Sequence, residues 1–190
     1  MISCFRMEIQ AKDLIDELTV HCTPLENVKI TTHADAAVIV EAIERVTDLV
    51  ALSLNGISLG VDGAEAIAKA LATKSTLKEC DWGNCFKSRL LEEIPPALMH
   101  LADGLEQSGA RIRKLDLSDN AFGPNGARGV KPILVTDACL EIEELHLENC
   151  GLGVAGGEII GSALEILNDN IRKNGLTPKL RYDLAAKIYC

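Results

Sequence analysis

Apolar positions along the chain recur in one order: a short alternating run, a tight polar turn, then a run spaced for a helix. The clearest copy is Ile112 to Pro124, IRKLDLSDNAFGP, with Ile112, Leu115 and Leu117 on the alternating grid, followed by Asn120, Phe122 and Gly123. Alternation at period two predicts a strand with one buried face. Asn120 is expected to tuck its amide under the following turn, where backbone groups leave the sheet ladder without partners. Leu49, Leu52, Leu54 and Leu59 repeat the order, as do Leu77, Cys80, Trp82 and Cys85, and again Ile142, Leu145, Leu147, Cys150 and Leu152. Leu25, Val28 and Ile30 form an earlier, imperfect copy, while residues 1 to 24 show no clear period.

Between these runs the spacing changes to that of a buried helical face. Ala64, Ile67, Ala68 and Leu71 follow it, with Asp62 as the expected N-cap; so do Ile94, Leu98, Leu101 and Leu105, with Pro95 and Pro96 in the first turn. A first helix is predicted over Asp35 to Val46 and a last one carries Ile160, Ala163, Leu164, Leu167 and Ile171. The helix after Asn120 is placed between Asn125 and Cys139, its start left open by Pro132.

The last strand residues, Leu54, Trp82, Leu117 and Leu147, stand 28, 35 and 30 positions apart. This is the long form of the leucine-rich repeat, L-x-x-L-x-L-x-x-N-x-L. The expected fold is therefore an α/β leucine-rich repeat solenoid, a ribonuclease-inhibitor-like arc with four parallel strands on its concave side and helices on its convex side. Residues 1–24 are assigned to an irregular N-terminal segment, 25–176 to a capping repeat and about four repeats, and 177–190 to a divergent tail. The spacing of 35 places extra residues in one unit; Cys85 is still in register, so they extend the loop Phe86 to Glu92 or its helix. In the tail, Leu180 would open a fifth strand, but Asp183 falls on the next inward position, so the tail does not complete a repeat. The strand at Leu145 to Leu147 is then an edge, a self-association liability in a chain otherwise expected to be monomeric.

Composition narrows the function. A hydrophobic share of 47% supports a packed core, and aromatics at 3% leave it to Leu, Ile, Val and Ala. A formal charge of -9 argues against nucleic acid or an anionic membrane and for a partner with a basic face. Seven cysteines at irregular spacing, without a C-x-x-C pair or a visible export segment, are read as reduced thiols in a soluble intracellular protein. The recurring G-x-x-G at Gly60, Gly123 and Gly153 is turn chemistry rather than a phosphate cradle. His21, His33, His100 and His146 sit in no nucleophile pattern, so an autonomous hydrolase is not expected.

Two positions are left over by the repeat register. Asn149 corresponds to Asp119, on the rim where strand passes into loop, because Cys150 already fills the buried turn slot. Arg89 lies in the lengthened loop beside Lys87 and Ser88, either a solvated side chain ahead of Glu92 and Glu93 or a cation offered to a partner's anion.

The segments FKSRLLEEIPPAL, LDLSDNAFGPNG and LHLENCGLGVAGG, in this order, resemble the leucine-rich domain of the Ran GTPase-activating proteins over roughly residues 28 to 176. The resemblance implies a regulator that binds Ran in its GTP state and speeds hydrolysis, not an enzyme in its own right. It would carry no cofactor, GTP and magnesium belonging to the partner, and would act in nucleocytoplasmic transport, in the cytoplasm or at the nuclear envelope. The family's catalytic asparagine matches Asn149 and its essential arginine matches Arg89. Asn149 is then expected to hold Ran's own glutamine, with Arg89 fixing the loop or the Ran surface and Lys87, Asp119 and Glu148 contacting the partner. Where the family can carry Lys two residues after the arginine, this chain has Leu91, and the many further repeats and acidic region of the family do not follow. The alternative is a leucine-rich interaction scaffold without catalytic effect.

Overall fold

The computed structural model describes residues 9–180; Cys4, Cys190 and the expectation resting on Asp183 lie outside them. Short alternating segments form a six-stranded sheet from β1 (Ile15–Asp16), β2 (Thr19–His21), β4 (Ala51–Ser53), β6 (Glu79–Asp81), β7 (Lys114–Asp116) and β8 (Glu144–His146), in the order β1-β2-β4-β6-β7-β8. Only the β1–β2 pair is antiparallel. Two further strands, β3 (Lys29–Ile30) and β5 (Ser58–Leu59), pair with each other in parallel. The register aligns Val20, Leu52, Cys80, Leu115 and Leu145 across the sheet. The first four are buried, whereas Leu145 on the edge strand is half-buried.

Five helices follow the strands: α1 (His33–Arg45), α2 (Val61–Leu71), α3 (Ile94–Ser108), α4 (Gly123–Val135) and α5 (Gly153–Lys173). Each packs on the next in chain order. The apolar faces anticipated for α2, α3 and α5 are the buried ones. Helices α2 and α3 approach closely at Gly104, where an added Cβ would lie 2.6 Å from the Ala68 carbonyl oxygen. The chain is thus α/β, with a mostly parallel sheet covered by successive helices.

The N-terminal segment departs from expectation. Instead of an irregular stretch to residue 24, a 3-10 turn at Ala11–Leu14 leads into the β1–β2 hairpin, and β2 joins the main sheet. That sheet has five parallel strands, not four. Leu25, Val28 and Ile30 do not form its next member; Leu25 ends a 3-10 turn and Ile30 lies in β3 against β5. Glu17 stands where Leu49, Leu77, Ile112 and Ile142 open the other units, so the sequence does not mark β2, which is placed by backbone pairing, including Val50 N–H to the Leu18 carbonyl at 2.8 Å.

Helix starts also move. Helix α1 begins at His33 behind Thr32, whose hydroxyl accepts from Asp35 N–H while the Asp35 carboxylate accepts from Thr32 N–H at 2.8 Å. This is a reciprocal capping box, so Asp35 is the third helical residue and not the first. Gly60, not Asp62, caps α2. Helix α4 starts at Gly123, and Pro132 lies inside it, where the buried Val130, Ile133 and Leu134 hold the helix through the lost N–H.

Most of the extra residues lie in the loop before α3, and α3 itself, at 15 residues, is longer than α2 with 11 and α4 with 13. Leu54 precedes α2 by 7 positions and Trp82 precedes α3 by 12. The loop is anchored to both sides, by Leu59 N–H to the Cys85 carbonyl and by the Asn125 amide to the Leu91 carbonyl, at 2.8 and 2.9 Å. Asn120 reaches back to this unit: its Oδ1 accepts from Cys85 and Phe86 N–H, and its Nδ2 donates to the Trp82 and Leu117 carbonyls. Its amide therefore finishes the preceding turn as well as its own.

Candidate functional site: the polar turn edge

Because β4, β6, β7 and β8 run parallel, the turns that follow them lie along one edge of the sheet. Gly56, Asn84, Asp119 and Asn149 occupy the same place in these turns, and all have positive φ: 81°, 48°, 58° and 52°. This left-handed backbone favours Gly, Asn and Asp, which explains the residue types before any role in recognition. The structural role that the repeat register left unassigned for Asn149 is thus a turn constraint. The turns are linked to one another: Asn84 N–H donates to the Ser118 carbonyl and Asp119 N–H to the Glu148 carbonyl, at 2.9 and 2.8 Å.

At the β8 end, Asn149, Glu148 and Asp119 are all exposed. The Asn149 Nδ2 donates to the Asp119 Oδ1 at 2.9 Å, and Glu148 N–H donates to the Ser118 hydroxyl at 3.2 Å. Beneath them Cys150 is buried, its thiol donating to the Leu117 carbonyl at 3.2 Å. The amide is therefore presented from a turn fixed on both sides.

Arg89 and Lys87 stand on the same edge, and their side chains, like that of Asn149, reach back to earlier units. The half-buried Arg89 donates through one terminal nitrogen to the Ser58 carbonyl and to the Thr31 hydroxyl, and its other terminal nitrogen lies close over Gly60. Its Nε is shielded and without a partner among the described residues. Arg89 is therefore not simply solvated ahead of Glu92 and Glu93; the Glu93 carboxylate accepts from Leu90 N–H at 2.9 Å. Lys87 is exposed and donates to the Asn27 side-chain oxygen at 3.0 Å. Arg89 and Asn149 thus share an edge, while their side chains engage different parts of it.

Two features of this edge were not anticipated. Leu90 and Leu91, at the tip of the inserted loop, are 68% and 53% exposed, an apolar pair beside Lys87. The R-L-L string is the signal that could have marked them. The second is a polar chain on the open sheet face: Asp81 accepts from the Ser53 hydroxyl at 2.8 Å and from the Asn55 amide at 3.1 Å. It borders a shallow depression of about 230 Å³, lined also by Lys114 and Asp116. The spacing of 28 that relates Leu54 to Trp82 also sets Ser53 opposite Asp81, so the repeat register is the signal that could have joined them.

The five cysteines at 22, 80, 85, 139 and 150 are free and buried. Burial pushes the thiols of Cys22 and Cys139 up to about 12 and that of Cys150 to about 11. Such thiols are packing groups, not nucleophiles. Among the described residues no group of three or more His, Cys, Asp or Glu is placed to hold a metal ion. No helix among them is long and apolar enough to cross a membrane.

Fold and edge together define an α/β protein of recurring strand–turn–helix units with exposed polar groups gathered on the turns. No family model matches the chain. It is 41% identical over 162 residues to Ran GTPase-activating protein 1 of Xenopus laevis, a match covering 85% of this chain and 28% of that protein. It is also 41% identical over 156 residues to the Ran GTPase-activating protein of Drosophila melanogaster, covering 82% and 26%. A third relative, Ran GTPase-activating protein 2 of Caenorhabditis elegans, is 39% identical over 150 residues, 79% of this chain and 16% of the relative. Over these stretches the chain is similar to Ran GTPase-activating proteins, and it spans less than a third of the length of each of these relatives.

Proposed function

We propose that the chain is a leucine-rich repeat segment that binds Ran in its GTP state and stimulates hydrolysis by positioning Ran's own glutamine. Its relatives carry the name of that activity. The observation that carries the site is the Asn149 amide, exposed at a turn whose backbone is fixed and whose Nδ2 is engaged by Asp119 at 2.9 Å. A held amide can restrict a partner's glutamine so that it orients the attacking water, which is a preorganisation effect. The chain is a regulator without a cofactor of its own; GTP and magnesium come with Ran. Arg89 holds the inserted loop against Ser58 and Thr31, and the loop presents Lys87, Leu90 and Leu91 to the partner. Asp119 and Glu148 add negative potential that speeds encounter with a basic surface. The setting that follows is nucleocytoplasmic transport, in the cytoplasm or at the nuclear envelope, with the chain monomeric.

A single-turnover GTP hydrolysis assay with Ran, with and without the chain, tests this reading. Wild type is expected to accelerate hydrolysis and Asn149→Ala to abolish the effect. Asn149→Gly, which accepts the positive φ without strain, is expected to do the same. Undiminished stimulation by a folded Asn149→Gly chain would overturn the mechanism. Ran binding without acceleration by wild type would leave an interaction scaffold.

A further inference from the structure

Resting on this proposed function, we infer that Asp119 is a positioning residue that turns the Asn149 amide so that its oxygen faces the partner. A carboxylate only accepts hydrogen bonds, and Asp119 Oδ1 lies 2.9 Å from Asn149 Nδ2. The NH2 end of the amide is thereby drawn toward Asp119, and Oδ1 is left outward as an acceptor. An exposed asparagine without such a neighbour would sample both orientations and present donor and acceptor alternately.

Both residues are held for this contact. They occupy equivalent turn places with φ of 58° and 52°, and Asp119 N–H donates to the Glu148 carbonyl at 2.8 Å, coupling the two turns. The corresponding pair one step earlier is Asn84 and Asp119, and two steps earlier Gly56 stands in that place and has no side chain to offer. The donor-to-carboxylate contact thus belongs to the end of the edge that carries Asn149. Its consequence is specific: the group met by Asn149 must be a donor, which the NH2 of a glutamine side chain is, leaving that glutamine's oxygen to hold water.

Asp119→Gly removes the acceptor and tolerates the left-handed backbone, and Asp119→Asn removes the charge and keeps an oxygen that can accept from Asn149. In single-turnover hydrolysis by Ran at saturating chain, Asp119→Gly is expected to lower the limiting rate on the order of tenfold. Asp119→Asn is expected to lose less of the limiting rate than Asp119→Gly, since its oxygen can still accept from Asn149. The Asn149 side-chain amide resonances supply an independent readout: one proton shifted and protected in wild type and Asp119→Asn, and both ordinary in Asp119→Gly. Equal loss in both variants would assign Asp119 to a charge contact and overturn the inference. So would an unchanged limiting rate in Asp119→Gly, provided Asn149→Gly is inactive. A wild-type chain without effect on Ran overturns the proposed function and this inference together.

Discussion

The side-chain oxygen of Asn120 accepts the backbone N–H of Cys85 at 2.9 Å, from 35 positions further along the chain. The same side chain also takes Phe86 N–H and returns its two donors to the Trp82 and Leu117 carbonyls. It is 1% exposed, so none of these groups has water as a substitute. Asn120→Ala leaves several buried backbone groups unpaired, each costing about 1 to 3 kcal/mol. With partial relaxation the expected loss is about 3 to 5 kcal/mol, read from urea unfolding. A loss below about 1 kcal/mol would show that the turn can repair itself.

Arg89 is expected to act through the loop it anchors. Arg89→Ala removes the contacts to Ser58 and Thr31. The side chain is only half-buried, so the loss should be about 1 to 2 kcal/mol. Cleavage by trypsin at Lys87 should quicken. In the hydrolysis assay Arg89→Ala should raise the concentration of chain needed for half-maximal effect, while Asn149→Gly should lower the limiting rate. An Arg89→Ala chain with wild-type half-saturation and a collapsed rate would place Arg89 in the chemistry instead.

Two glycines in helices should respond with opposite sign. At Gly104 a Cβ would meet the Ala68 carbonyl oxygen at 2.6 Å, so Gly104→Ala must push α2 and α3 apart, at a cost of about 1 to 3 kcal/mol. At Gly161 in α5 an added Cβ meets nothing within 4 Å, and Gly161→Ala should stabilise by about 0.5 to 1 kcal/mol. Thermal unfolding of both variants checks the pair; equal shifts would contradict the close approach.

Alkaline pH should weaken the fold through the buried thiols. Cys22 and Cys139 have their thiols raised by burial from 9.0 to about 12. The unfolded chain therefore loses these protons first. Their contribution is fully present below pH 9 and is lost as pH rises toward 12, by about 1.4 kcal/mol per pH unit for each thiol. Denaturant midpoints measured from pH 8 upward should fall, and Cys22→Ala with Cys139→Ala should flatten that slope. At pH 8 the native thiols should resist alkylation by iodoacetamide, with fast reaction contradicting their burial.

What could be read in advance was what depends on local spacing. Leu52, Cys80, Leu115 and Leu145 fell on one grid because side chains alternate at period two, and they align in the sheet. The buried stripes of α2, α3 and α5 followed from the helical period for the same reason. The short strands β4, β6, β7 and β8 were legible because an apolar residue precedes each central one by three positions. Glu17 stands there before Val20, so the sequence shows no repeat in the segment before residue 25, and the two-residue β1 and β5 carry no period at all. Helix starts shifted because capping depends on one residue's backbone, as at Thr32 and Gly60.

For the site, the sequence by itself determined which residues were left unexplained by the repeat, Asn149 and Arg89, and that both follow strands of one direction. It could not determine where their side chains turn. The tertiary structure bends Arg89 back to Ser58 and Thr31 and joins Asn149 to Asp119, from 30 positions earlier. Register along a chain fixes the place of a residue in its turn, whereas a hydrogen bond between turns exists only once neighbouring strands have paired.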